Sequence, residues 1–223
     1  MGTALGILFE RGRFCFFCIF RDAIEDRNTT PILSVLSAIA VGSIGYAILF
    51  GQFLPDTSTE YFPPNAHIGP VSWVLVVAGL VFGVGMTLSG ACISGHLYRI
   101  GQGSLRAFPA LLGSLIGFGL GFATWNELYL STLISAPKTW LPHTFGYAGS
   151  LFITLAVLLL LALIARRWRA TSEPISSQPS TNFYSALIIK RWPPLLSGAL
   201  VGVIGTIAYL RIEPLGVTRQ LST

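Results

Sequence analysis

The sequence predicts an all-α, polytopic membrane protein with about five transmembrane helices and two cysteine-bearing segments in which a helix is broken or re-enters the membrane. Its composition supports this class, because 52% of the 223 residues are hydrophobic and only 10% are charged. A hydrocarbon core about 30 Å thick needs roughly 20 apolar helical residues to cross it. Five stretches without Asp, Glu, Lys or Arg are long enough: 28–55, 61–98, 107–126, 139–165 and 192–210.

The predicted spans lie within or close to these stretches and should be helices. Lipid offers the backbone no hydrogen bonds, and the runs are longer and more uniformly apolar than barrel strands, which alternate. The last span is short and begins with two prolines. The spans are Pro31–Leu54, Val71–Leu88, Leu105–Thr124, Tyr147–Ala165 and Pro193–Leu210.

We interpret the chain as a single membrane domain. Within it, residues 1–27 form an N-terminal re-entrant segment, 89–104 a broken helix, 170–182 a hydrophilic cytoplasmic linker and 193–223 the start of a second, incomplete half. The linker is rich in Ser, Pro and Thr, a composition that cannot build a packed core.

The net charge of +5 reflects membrane topology rather than nucleic-acid binding. The N-terminal segment and the connections that contain Arg99 and Arg166 are basic, whereas residues 51–70 contain no Lys or Arg. Because cytoplasmic loops carry the excess of basic residues, this alternation predicts a cytoplasmic N-terminus.

The first stretch that can carry chemistry is 89–104, SGACISGHLYRIGQGS, directly after the second predicted span. Glycine in a helix interior costs about 0.8–1 kcal/mol relative to alanine, so its clustered glycines indicate a helix break. A half-helix N-terminus exposes N–H groups and a partial positive charge, both of which favour an anion. The candidate binding residues at this break are Gly90, Cys92, Gly95 and Arg99.

The second stretch is Glu10–Asp22, ERGRFCFFCIFRD. On a continuous helix, Arg11, Cys15, Cys18 and Asp22 would share one face, because they are spaced by four, three and four residues. Nearby arginines would lower a thiol pKa and attract anions. The Cys-Phe-Phe-Cys spacing also fits a dithiol redox pair, although the βαβ context of a thioredoxin-like domain is missing.

No metal, cofactor or enzymatic activity is expected. The three His and three Cys show no metal-ligand spacing, and His67, His96 and His143 are interpreted as satisfied surface residues. The chain contains neither a phosphate-binding Walker loop nor a GxSxG nucleophile motif. Nothing in the sequence indicates ATP hydrolysis.

Three motifs resemble the YeeE/YedE family of bacterial sulfur-transport membrane proteins. They are Arg11–Asp22, Gly83–Gly103, which is the most specific, and the weaker Pro214–Thr218. The resemblance implies an inner-membrane uptake protein for thiosulfate or a related sulfur-containing anion, with re-entrant loops meeting inside the membrane. It implies that the thiols of Cys15 and Cys92 pass the anion along. Cys18 lies where the family usually has a small non-cysteine residue and receives no role.

The resemblance also suggests partners. The family's second half supplies a further Gly-Cys loop that does not lie within residues 1–223, so a second membrane chain that provides this loop is one expected partner. The alternative expected partner is a soluble sulfur-carrier protein. Two other functions stay open: a membrane thiol-disulfide oxidoreductase that uses Cys15 and Cys18, and a non-transporting subunit that completes a partner's helical bundle.

Overall fold

The computed structural model describes residues 2–12, 14–53, 71–137, 140–168 and 192–211. The hydrophilic linker 170–182 and the motif at 214–218 lie outside the described residues. Within them the chain forms α-helices and one π-helical turn, Tyr129–Leu133, which continues α6. The α-helices are α1 (Gly2–Gly12), α2 (Phe16–Glu25), α3 (Thr30–Phe53), α4 (Trp73–Ser89), α5 (Ile93–Gly101), α6 (Ala107–Leu128), α7 (Leu141–Trp168) and α8 (Pro194–Arg211).

The prediction of an all-α polytopic membrane protein is confirmed. Four helical segments are long and apolar enough to cross a membrane: α3, α4 with its continuation α5, α6 with the π-helical turn, and α7. The fifth predicted span forms α8, whose apolar part Pro194–Leu210 is shorter than the other four. Helix α7 contains one non-helical residue, Gly146 (φ 68°, ψ 175°), directly before the predicted start of its span.

The best-packed part of the described chain is the pair α3 and α8. Small residues allow this close approach: a β-carbon at Gly198 would collide with the backbone oxygen of Ser34, and one at Gly202 would lie 2.7 Å from the oxygen of Ala38. The Ser37 hydroxyl donates a hydrogen bond of 3.2 Å to the Leu195 carbonyl across the same interface. Close backbone packing of this kind is how membrane helices associate.

Two hydrogen bonds show which helix ends share a side of the molecule. The Thr29 hydroxyl, next to the start of α3, donates to the Ala165 carbonyl near the end of α7 at 2.7 Å. The backbone N–H of Val71, before α4, donates to the Pro137 carbonyl, before α7, at 3.0 Å. The first side therefore holds α2, the start of α3 and the end of α7, and the second holds the starts of α4 and α7.

The N-terminal segment is a pair of short helices rather than one. Helix α1 packs on α8, where a β-carbon at Gly12 would lie 3.0 Å from that of Ser197. The chain leaves helical geometry before α2, since Cys15 has extended dihedrals (φ −125°, ψ 115°). The continuous helical face considered for Arg11, Cys15, Cys18 and Asp22 is therefore interrupted: Arg11 lies on α1, while Cys18 and Asp22 lie on α2.

Candidate functional site

The helix that begins at Trp73 breaks within the glycine-rich stretch, as its composition predicts. Helix α4 ends at Ser89, and Gly90 takes the left-handed conformation (φ 74°, ψ 10°) that suits a residue without a side chain. Cys92 then caps the start of α5. Only three residues, from Gly90 to Cys92, therefore separate the two helices, and Gly90 provides the conformation that ends the first.

The starts of α2 and α5 meet at this break. Cys15 is the residue before the first turn of α2, as Cys92 is for α5. Both thiols are buried, Cys15 with no exposed surface and Cys92 with 6%. They form the centre of a small apolar cluster with Ala91, against which Phe17 and Tyr98 pack. Two helix N-termini thus present their cap residues to each other away from bulk water.

The two buried thiols are in direct contact. The Cys92 thiol donates to the Cys15 sulfur with an Sγ–Sγ distance of 3.5 Å, and both cysteines are free. The backbone N–H of Gly95 donates to the Cys92 sulfur at 3.4 Å. A thiol is a weak donor and a sulfur a weak acceptor, so a ligand with stronger hydrogen-bonding groups can displace these contacts at low cost.

Gly95 is required for this approach because of its missing side chain. A β-carbon at Gly95 would lie 2.8 Å from the sulfur of Cys15 and 3.0 Å from the β-carbon of Ala91. Its bare Cα therefore leaves the space that the Cys15 sulfur occupies, while its N–H holds the sulfur of Cys92.

Arg99, at the end of α5, ties the break to α2. Its Nη1 donates to the Gly90 carbonyl at 3.2 Å, and its Nη2 lies 3.9 Å from the Cys18 sulfur. The guanidinium thus pairs with the carbonyl end of α4 and places a fixed positive charge beside a half-buried thiol.

The surroundings of Cys18 lower the pKa of its thiol. A hydrogen bond from Cys15 lowers the pKa of Cys18 to about 6, and the positive charges of Arg99 and Arg21 act in the same direction, against the opposing effect of burial. The family resemblance gave Cys18 no role in transport, yet Cys18 forms a third thiol beside the buried pair.

His96 is the residue that sequence reasoning missed. It lies on α5, is only 5% exposed, and neither ring nitrogen has a hydrogen-bond partner within the described residues. Its interpretation as a satisfied surface residue is therefore wrong. The signal in the sequence was its spacing of four residues from Cys92, which places both on one face of a helix.

The structure brings all five sequence-predicted site residues together around the two helix starts. Cys15, Cys92 and Gly95 form the buried contact, and Gly90 and Arg99 are joined by a hydrogen bond beside it. The described residues contain no group of three or more His, Cys, Asp or Glu arranged to hold a metal ion.

Several apolar helices of membrane-spanning length define a polytopic membrane protein, and one of these helices breaks where two buried thiols meet. The family model for sulphur transport matches residues 11–223, so the chain belongs to the sulphur transport family.

Named relatives agree with this family. The chain is 28% identical over 220 residues to the thiosulfate transporter TsuA of Escherichia coli (strain K12), an alignment that covers 96% of this chain and 60% of TsuA. It is 29% identical over 167 residues to the probable transporter YedE of the same organism, covering 75% of this chain and 39% of YedE. The chain is 32% identical over 122 residues to the thiosulfate transporter TsuA of Spirochaeta thermophila, an alignment that covers 54% of this chain and 33% of that relative. The chain thus spans at most about three-fifths of these relatives, and no solved structure matches it.

Proposed function

We propose that this chain carries thiosulfate or a related sulfur-containing anion across the bacterial inner membrane, and that the anion passes between the thiols of Cys15 and Cys92. The observation that carries the proposal is the 3.5 Å contact of two buried thiols at two facing helix starts. The similarity to the TsuA relatives, which are named thiosulfate transporters, supports the choice of thiosulfate.

The chemistry of the site suits such an anion. A full charge in an apolar medium is too costly unless hydrogen bonds and opposite charges compensate it. The first turns of α2 and α5 supply N–H groups, and Arg99 supplies a positive charge at the end of α5. Thiosulfate has a sulfur end and an oxyanion end, so it can contact thiols and N–H donors at once.

Weak binding is an advantage for transport. Conduction requires a site favourable enough for the ion to enter and weak enough for it to leave. Neutral thiols meet this condition better than lysine or arginine side chains would at the same position. This argument favours transport over catalysis as the role of the thiol pair.

We also propose an orientation and a partner. The N-terminus is cytoplasmic, and α1 and α2 form a re-entrant segment. The partner is a second membrane chain that supplies a further cysteine-bearing loop, with a soluble sulfur-carrier protein as the alternative partner. The uncovered glycines of α6, which meet no other atom within 4 Å among the described residues, leave a face against which such a chain can pack.

Uptake measurements with cysteine variants test the proposal. In cells that depend on this protein for sulfur, Cys92→Ala and Cys15→Ala should reduce thiosulfate uptake to the level of cells without the protein, because each removes one member of the thiol contact. Labelled thiosulfate is the measured substrate, and membrane levels of each variant are compared by immunoblot.

Cys18→Ala is the matched control, since it removes a thiol next to the pair without removing the contact itself, and it should retain most of the uptake. Normal uptake by Cys92→Ala at wild-type membrane levels would show that the thiol pair is not the route of the anion.

A further inference from the structure

Helix α5 carries a row of three different hydrogen-bonding side chains on one face. Cys92, His96 and Arg99 are spaced by four and three residues, the spacing that brings side chains of a helix together. The row leads from the buried thiol pair at the start of the helix to the guanidinium at its end. Cys92 and Arg99 have hydrogen-bond partners, whereas the ring of His96 between them has none among the described residues.

The burial of His96 makes this arrangement unusual. A polar group removed from water without a hydrogen-bond partner loses its solvation and gains nothing in return, so buried polar groups are nearly always paired. His96 is 5% exposed and leaves both ring nitrogens unpaired within the described residues. Arg99, Cys92 and the Ala91 backbone act electrostatically on its ring, and all three belong to the same site.

We propose that His96 is a substrate-binding residue whose ring N–H donates a hydrogen bond to the oxyanion end of the transported anion between Cys92 and Arg99. This inference rests on the proposed function and adds to it a residue that distinguishes the ends of the substrate. The thiols of Cys15 and Cys92 contact the sulfur end, and the imidazole contacts an oxygen.

The imidazole suits this position better than a permanent charge. A neutral imidazole has one donor and one acceptor nitrogen, so it can pair with an oxyanion without the strong attraction that would hold the ion in place. The helix start contributes in the same direction, because the first N–H groups of α5 carry its partial positive charge. A small anion with a sulfur atom at one end and oxygens at the other can contact the thiols with its sulfur and these N–H donors with its oxygens.

The experiment uses the whole chain in lipid nanodiscs with ¹⁵N-labelled histidine. The chain contains three histidines, so the imidazole signals are few, and His96→Gln identifies those of His96 by their loss. Adding excess thiosulfate to the wild-type protein should shift the ring nitrogens of His96, whereas excess sulfate should shift them less. The exposed His143 is the internal control and should not respond.

Uptake kinetics provide the second readout. His96→Leu should raise the apparent KM for thiosulfate about ten- to a hundredfold, the usual cost of removing a hydrogen bond to a charged ligand, with little change in the maximal rate. His96→Gln, which keeps an N–H donor, should recover most of the affinity. His143→Asn is the matched control and should behave as the wild type.

The outcomes separate this inference from the proposed function. If the wild type takes up no thiosulfate while its His96 signals still shift, the transport proposal fails and the binding role stands. If His96→Leu does not reach the membrane, the wild-type signals decide the question. Unchanged His96 signals in excess thiosulfate, or a wild-type KM in a well-inserted His96→Leu, overturn the inference.

Discussion

At the scale of single residues, the three cysteines of this chain have different chemical roles set by their surroundings. Cys92 donates to Cys15, and Cys15 in turn donates to Cys18, which also lies beside the guanidinium of Arg99. The hydrogen-bond chain ends at Cys18, the half-buried thiol whose pKa these contacts lower. Burial shields the other two thiols from reagents in water.

This difference predicts a pH dependence of chemical modification at Cys18. Because its pKa is lowered to about 6, Cys18 is mostly thiolate at pH 7 and loses that form as the pH falls through 6. The thiolate is the nucleophile, so the rate of alkylation by iodoacetamide should be half-maximal near pH 6. Mass spectrometry of the labelled peptide measures this rate, and the buried Cys15 and Cys92 should react far more slowly.

Arg99→Gln tests the contribution of Arg99 to the low pKa of Cys18, which adds to the larger effect of the hydrogen bond from Cys15. Without the guanidinium, the midpoint of Cys18 alkylation should move to higher pH, and Arg99→Lys should move it less. In the wild type, an alkylation midpoint at the pH of an ordinary free thiol would contradict the lowered pKa of Cys18. If a mild oxidant prevented the alkylation of both Cys15 and Cys18, the result would instead favour the dithiol oxidoreductase.

At the scale of elements, the glycines divide into those that meet a neighbouring helix and those that do not. On α8, Gly198 and Gly202 approach the backbone of α3 too closely for any side chain. On α6, Gly113, Gly117 and Gly121 have the same four-residue spacing but meet no atom within 4 Å among the described residues. The same sequence pattern therefore marks one internal interface and one outward face.

This division predicts opposite effects of the same substitution. Gly198→Ala places a methyl group against the backbone of α3 and should destabilise the protein by about 1–3 kcal/mol, the usual cost of overpacking. Gly117→Ala meets no described atom and should be neutral or stabilise its helix by about 0.5–1 kcal/mol. Thermal unfolding of the two variants in one detergent compares them directly. Equal melting temperatures would contradict the close α3–α8 packing.

Local sequence signals predicted the elements better than the contacts between them. The helix break was predictable because clustered glycines are costly inside a helix, and its position at Gly90–Cys92 lies within the predicted stretch. Sequence spacing did not predict which thiols are in contact, because it favours Cys15 and Cys18, which lie close together in the sequence. The Cys15–Cys92 contact depends on two helix starts that meet in space. The burial of His96 is a tertiary property of the same kind.

At the scale of the whole molecule, the fold places most of the described basic residues on one side, where acidic residues of α1 and α2 also lie. On the side of α2, the break and the end of α7 lie the basic residues Arg11, Arg21, Arg27, Arg99, Arg106, Arg166 and Arg167. On the opposite side, among the described residues, lie Glu127 near the end of α6 and Arg211 at the end of α8. Because basic residues accumulate on the cytoplasmic side, the first side should face the cytoplasm.

Site-directed labelling tests this orientation in intact cells. In a Cys18→Ala background, where the two remaining native thiols are buried, Ser135→Cys introduces an exposed thiol beside the start of α7 on the second side. Arg167→Cys introduces a matched exposed thiol near the end of the same helix, on the first side.

A membrane-impermeant maleimide should label Ser135→Cys in intact cells, and should label Arg167→Cys only after the inner membrane is permeabilised. The reverse pattern would place the N-terminus outside the cytoplasm, and the anion would then meet Arg99 on entering the membrane rather than on leaving it. The labelling pattern therefore fixes both the topology and the order in which a transported ion meets the residues of α5.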